Sequence, residues 1–135
     1  MQLLTLIRGA QGAGKSTLAR MIVENTPQTV HLEADMFFMD GCGGYNWNPR
    51  FVDHAHRWCK DRTKALLDGG KSVVVSNTFI RVEHLRPYVE LANERHIPVQ
   101  TILVDADFGN VHGVDPVTVR HNRQRVEPLP RWYTS

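Results

Sequence analysis

Little in this chain points to a secreted, membrane-bound or polyanion-coating protein. Cysteine is scarce: Cys42 and Cys59 are the only two among 135 residues, with no C-x-x-C pair and no metal-ligand spacing. A disulfide scaffold is thereby excluded, and a reducing, cytoplasmic compartment is the simple expectation. No apolar stretch is long enough to cross a membrane. A strand-like run begins at Leu3, so no signal peptide is expected. The net charge of +2 is too small to argue by itself for nucleic-acid binding. Internal repeats and low-complexity segments are absent. With 41% hydrophobic and 22% charged residues, the composition is that of an ordinary globular domain. The length allows one sheet-centred domain over residues 1–135 and leaves no room for a second.

Glycine, at 10 of 135 residues, is ordinary in frequency, but three fall within one short stretch. Gly9-Ala10-Gln11-Gly12-Ala13-Gly14-Lys15-Ser16 fits the phosphate-loop pattern G-x-x-x-x-G-K-[ST] without a mismatch. From average composition, a chance match in a chain of this length is roughly a one-in-two-hundred event. The flanks agree with the motif. Leu3 to Ile7 reads as a buried parallel strand, and Leu18, Met21 and Ile22 recur at helical spacing after the loop. Gly9, Gly12 and Gly14 let backbone N–H groups approach phosphate oxygens, and the following helix points its positive end at the same anion. Gly9, Ala10, Gln11, Gly12, Ala13, Gly14, Lys15, Ser16 and Thr17 are therefore the expected ATP-binding set. Within it, Lys15 would reach the β- and γ-phosphates, and Ser16 would ligate Mg²⁺.

Apolar runs alternate with helical patterns along the rest of the chain. This predicts an α/β three-layer sandwich with a four-stranded, mostly parallel sheet. Strands are expected at Leu3–Ile7, Thr29–Leu32, Ser72–Ser76 and Val99–Val104. Helices are expected at Lys15–Glu24, from Pro49 to Asp68, at Val82–Arg95 and at Pro116–Arg125. Gly69-Gly70 would stop the second helix, and residues 128–135 would form an irregular tail. Ligands of such sheets bind beyond the carboxyl ends of the strands. That rule selects Asp35, Ser76, Asn77, Thr78 and Asp105.

Asp35 stands just past the second strand and could take a proton from an attacking hydroxyl. An Asp there could equally cap a turn. The acid that usually ends the third strand and supports Mg²⁺ is missing, because Ser76-Asn77 stands there. Asp105 could serve through water or be a turn residue. His54 and His56 lie on different helix faces and read as surface or packing residues rather than metal ligands. Tyr45 and Trp47 could stack on a base or anchor their loop. Arg120, Arg123 and Arg125 form a run with no acid among them, which suits an anion-facing lid or a solvated helix face.

Several segments in order resemble the small P-loop kinases of the AAA-type ATP-binding class related to phage polynucleotide 5′-hydroxyl kinases. The likeness extends to the kinase-like domain of some eukaryotic ubiquitin-ligase-binding proteins and, more distantly, to zeta-toxin kinases. It rests on Ile7 through Arg20, Ala34-Asp35-Met36-Phe37-Phe38, Gly44-Tyr45-Asn46-Trp47, Ala55-His56-Arg57-Trp58 and Asn77-Thr78. Arg86-Pro87-Tyr88-Val89, Asn110 through Val114 and Arg125-Val126-Glu127 continue it. The resemblance implies a strand order like that of nucleoside kinases, ATP as donor and a hydroxyl acceptor. It assigns Lys15 to phosphate, Ser16 to Mg²⁺ and Asp35 to the general base. A lid at about 108–127 would bring Arg125, with Arg120 or Arg123, to the transferring phosphoryl group.

Two departures from the family pattern stand out. Gly109 replaces an Arg before Asn110, and Phe37-Phe38-Met39 follows Asp35 where an Arg would hold the acceptor phosphate. Arg50, Arg57, Asn77 and Arg81 are the alternative acceptor-binding candidates. The expected function is ATP- and Mg²⁺-dependent phosphorylation of a polynucleotide 5′-hydroxyl. A small-molecule kinase acting on a nucleoside or sugar nucleotide, and an ATP-binding module with little catalysis, are the alternatives. Short loops and small size would suit a viral protein in a bacterial host.

Overall fold

A computed structural model describes residues 1–39 and 44–104. Four parallel strands form its sheet: β1 (Leu4–Arg8), β2 (Thr29–Leu32), β3 (Ser72–Ser76) and β4 (Val99–Leu103). Their spatial order is β2-β3-β1-β4, so β1 and β3 are central. Every residue of those two strands is buried, as parallel strands covered on both faces must be. The run Ser72-Val73-Val74-Val75-Ser76 reads the same way in sequence, because β-branched residues fit the pleated surface.

Period-two alternation assigns each strand residue to a layer. Leu4, Leu6, Val73 and Val75 face one way and pack with Leu85, Tyr88, Val89 and Ala92 in the larger core cluster. Ile7 and Val74 face the other way and pack with Leu18, Ala19 and Ile22. The helix α1 (Lys15–Asn25) therefore covers one face, while α2 (Val52–Asp68) and α3 (Arg86–Glu94) cover the other. Each fully buried aliphatic residue of the central strands contributes about 2 kcal/mol through removal of its side chain from water. The stripe Ala55, Cys59, Thr63 and Leu67 turns α2 inward at i, i+4 spacing. Thr63 is satisfied there by donating to the Cys59 carbonyl, at 2.8 Å.

Element boundaries depart from expectation in several places; α1 ends one residue later, at Asn25, and β4 one residue earlier, at Leu103. β1 begins at Leu4 and extends through Arg8, one residue later at each end. The Arg8 guanidinium is buried and donates to the Phe79 and Ile80 carbonyls at 3.0 to 3.2 Å, so a charged residue belongs to the strand. Pro49 opens a separate 3-10 turn (Pro49–Phe51), in which Asn48 accepts from the Arg50 N–H at 2.9 Å before α2 begins. The expected single helix over Val82–Arg95 is a 3-10 turn (Val82–His84) followed by α3, with Pro87 in the first turn of α3, where its missing N–H costs nothing. The lid at 108–127, the helix Pro116–Arg125, the tail 128–135, Asp105 and Cys42 lie outside the described residues. Among the described residues no helix is long and apolar enough to cross a membrane.

Candidate functional site

Beyond the carboxyl ends of β1, β2 and β3, the loop of residues 9–14 wraps into the start of α1. Gly9 is required by close approach: a Cβ there would stand 2.5 Å from the Val104 carbonyl oxygen. Its N–H donates to the Thr78 carbonyl at 3.1 Å, tying the loop to the segment after β3. Gly14 caps α1 in the left-handed region, with φ of 97°, a conformation that side chains disfavour. The first N–H groups of α1 lack intrahelical partners and carry the positive end of the helix dipole. An anion is the natural ligand of such a loop.

Lys15 is partly buried, with its Nζ donating to the Ala10 carbonyl at 2.8 Å. Burial pulls its ammonium down to about 8, while the negative charges of Glu33 and Asp35 act in the opposite direction. The charges of both carboxylates thus reach the lysine that the motif assigns to phosphate. Asp35 sits exposed on a 3-10 turn (Ala34–Phe38) directly after β2. The Tyr45 hydroxyl donates to its carboxylate, and burial together with that negative charge pushes the Tyr45 phenol up. Asn77 is buried and holds the same turn in place: its Oδ1 accepts from the Ala34 N–H at 3.0 Å. It therefore faces the protein, whereas Arg50, Arg57 and Arg81 are exposed.

Around Asp35 the aromatic residues form a connected cluster. Phe38 meets Phe37 and Tyr45 edge to face at 5.4 and 6.3 Å, and Phe37 meets Trp58 at 6.3 Å. Phe38 is buried and anchors the cluster, while Phe37, Tyr45 and Trp47 keep exposed surface. Of the expected aromatic pair, Tyr45 touches the cluster through Phe38, and both Tyr45 and Trp47 stay exposed. Arg120, Arg123 and Arg125 lie outside the described residues.

Glu33 belongs to the site although no motif in the sequence singles it out. It directly follows β2 and continues the alternation of Thr29 and His31, which puts it on the α1 face of the sheet. Its Oε1 accepts from the Ser16 hydroxyl and from Ser76 Oγ, at 3.1 Å for the latter. His31 Nε2 stands 2.6 Å from Ser76 Oγ and 3.2 Å from Glu33 Oε1. Burial disfavours the Glu33 carboxylate, yet the hydrogen bonds from His31, Ser16 and Ser76 outweigh it and hold the group down to about 2. Strand parity was the signal that could have found it.

A family model described as an AAA domain matches residues 4–112. The chain belongs to that family. As an AAA-domain protein it is 33% identical over 97 residues to NEDD4-binding protein 2 of Homo sapiens, covering 71% of this chain but 5% of that protein. Its fold superposes on the Pnkp1/Rnl/Hen1 RNA repair complex with a TM-score of 0.74 at 18% identity, covering 93% of this chain and 44% of that one. A putative kinase from Chloroflexus aurantiacus gives 0.70 at 20% identity, with 96% and 83% covered. A gluconokinase from Sinorhizobium meliloti gives 0.62 at 15% identity, with 94% and 75% covered. The AAA-domain chain therefore carries a P-loop kinase fold with a nucleotide-binding loop.

Proposed function

We propose that the chain is an ATP-dependent phosphotransferase whose acceptor is a polynucleotide 5′-hydroxyl. The observation that carries the reading is Asp35, an exposed carboxylate on the turn after β2 whose charge acts on Lys15 of the phosphate loop. In this mechanism the acceptor oxygen attacks the γ-phosphorus, its proton passes to an Asp35 oxygen, and the bond to the β-phosphate oxygen breaks to release ADP. The loop N–H groups and Lys15 hold the phosphates in place, which supplies most of the catalysis in phosphoryl transfer. Tyr45 orients the Asp35 carboxylate, and Asn77 fixes the turn that bears it. Ser16, a hydroxyl at the exit of the loop beside a carboxylate, is a hard oxygen donor of the kind that suits Mg²⁺. That cation, when bound with ATP, neutralises charge on the phosphates.

The exposed faces of Tyr45 and Trp47 support a nucleobase-bearing acceptor, since aromatic faces stack bases without regard to sequence. Arg50, Arg57 and Arg81 are available to its phosphates, and Arg120, Arg123 or Arg125 to the transferring group. The apolar Phe37-Phe38-Met39 segment directly after Asp35 favours a second reading, a small-molecule alcohol as acceptor. Label transfer from γ-labelled ATP to 5′-hydroxyl DNA and RNA oligonucleotides separates the two, with Lys15→Ala as the blank. Labelled oligonucleotide that disappears in the blank supports the polynucleotide reading. ATP turnover on a small alcohol that excess oligonucleotide leaves untouched would overturn it.

A further inference from the structure

P-loop phosphotransferases hold their cation between the loop hydroxyl and a carboxylate at a strand end. Here the end of β3 offers Ser76 and Asn77, neither of them acidic, and Asn77 is committed to the Ala34 N–H. The acid comes from the neighbouring strand instead. Leu32 pairs with Val75, so the next residues, Glu33 just past β2 and Ser76 at the end of β3, lie side by side at the edge of the sheet. Glu33 Oε1 is in hydrogen-bond contact with the Ser16 hydroxyl, while Ser76 and His31 hold the same oxygen from below at 3.1 and 3.2 Å. With Nε2 carrying its proton, His31 donates to Ser76, whose hydroxyl donates to Glu33. The positions have exchanged duties: β3 supplies the supporting hydroxyl and β2 supplies the charge.

We propose that Glu33, steadied by Ser76 and His31, is the carboxylate that this chain presents to the divalent cation accompanying ATP at Ser16. The inference rests on the phosphotransferase reading and assigns one residue to it. Glu33 and Asp35 then divide the work within three residues. Glu33, half-buried at 22% exposure, serves the phosphate side, and exposed Asp35 serves the acceptor side. A purely structural Glu33 would order Ser16 equally with and without metal, and that difference is measurable.

The test is the affinity for a non-hydrolysable ATP analogue, measured by calorimetry in EDTA and in saturating Mg²⁺, for wild type and Glu33→Gln. The amide keeps the shape of the side chain and removes its charge. The gain in affinity on adding Mg²⁺ is expected to shrink about tenfold or more, the usual consequence of altering a metal's supporting shell. Affinity in EDTA should stay level or rise, because a negative neighbour of the triphosphate has gone. A Mg²⁺ gain that survives within twofold, or equal losses in both conditions, would overturn the proposal. The double variant Glu33→Ser, Ser76→Asp returns the acid to the end of β3 and guards against misfolding of the single variant. A regained Mg²⁺ effect supports the exchange of duties; a double variant that folds, by circular dichroism, and lacks the effect counts against it. Wild-type protein that bound the analogue in neither condition would instead sink the kinase reading itself.

Discussion

Lys15 shows how one partly buried cation sets the pH range of its site. Burial brings its ammonium down to about 8 from 10.5 in the unliganded protein. A bound triphosphate favours the charged form, so nucleotide binding takes up a proton wherever free Lys15 has lost one. ATP affinity in EDTA should thus be level below about pH 8 and fall above it, by up to tenfold per pH unit. Titration calorimetry from pH 7 to 9.5 checks this, and a flat profile would show that Lys15 does not carry phosphate. The same depression makes folding pH-dependent: the lysine costs least when neutral, so its penalty on the empty fold eases as pH rises from about 8 to 10.5. Arg8 is the contrasting case, a buried cation with a structural task. Arg8→Met leaves the Phe79 and Ile80 carbonyls without these donors and should cost about 3 kcal/mol in urea unfolding. A loss below about 0.5 kcal/mol would mean that the loop holds without it.

At the scale of elements, local chemistry decided most boundaries and long-range contacts decided the exceptions. β2 at Thr29–Leu32 and β3 at Ser72–Ser76 are where the residue pattern alone puts them, because β-branched runs between turn residues have few other uses. The start of α1 at Lys15 follows from the phosphate loop. Arg8 ends β1 later than its polarity suggests, since its partners lie 71 and 72 residues away in sequence. Glu33 escaped notice for a related reason. The usual place for the acid is the end of β3, whereas only the pairing of β2 with β3 reveals that a neighbouring strand can deliver it. The loop itself is predicted to be intolerant. Gly9→Ala would force its Cβ against the Val104 carbonyl, which is backbone and cannot swing away. That variant should lower the melting temperature by several degrees, consistent with about 1–3 kcal/mol of strain, and weaken ATP binding as well. Unchanged melting and binding would mean that β4 shifts freely.

For the molecule as a whole, a sheet with helices on both faces puts every polar group of the site at one edge. The phosphate loop after β1, Ser76 at the end of β3 and the Glu33-to-Asp35 stretch after β2 come from three different segments and meet because β1, β3 and β2 are successive neighbours in that sheet. The sequence made the fold class and the phosphate loop legible, since both rest on local patterns. The acceptor side was less legible, because the aromatic cluster around Asp35 draws on segments 37–38, 45 and 58, joined only by folding. This chain spans a twentieth of the length of the human relative and under half of the RNA-repair chain. Its chemistry must therefore be judged on its own residues. The most direct judgement is γ-phosphoryl transfer to a 5′-hydroxyl oligonucleotide by wild type and by Asp35→Asn at saturating ATP. Loss of a proton acceptor should cut turnover by roughly 10² to 10⁴ while ATP affinity stays within a few-fold of wild type. Equal turnover in the two proteins would contradict the account.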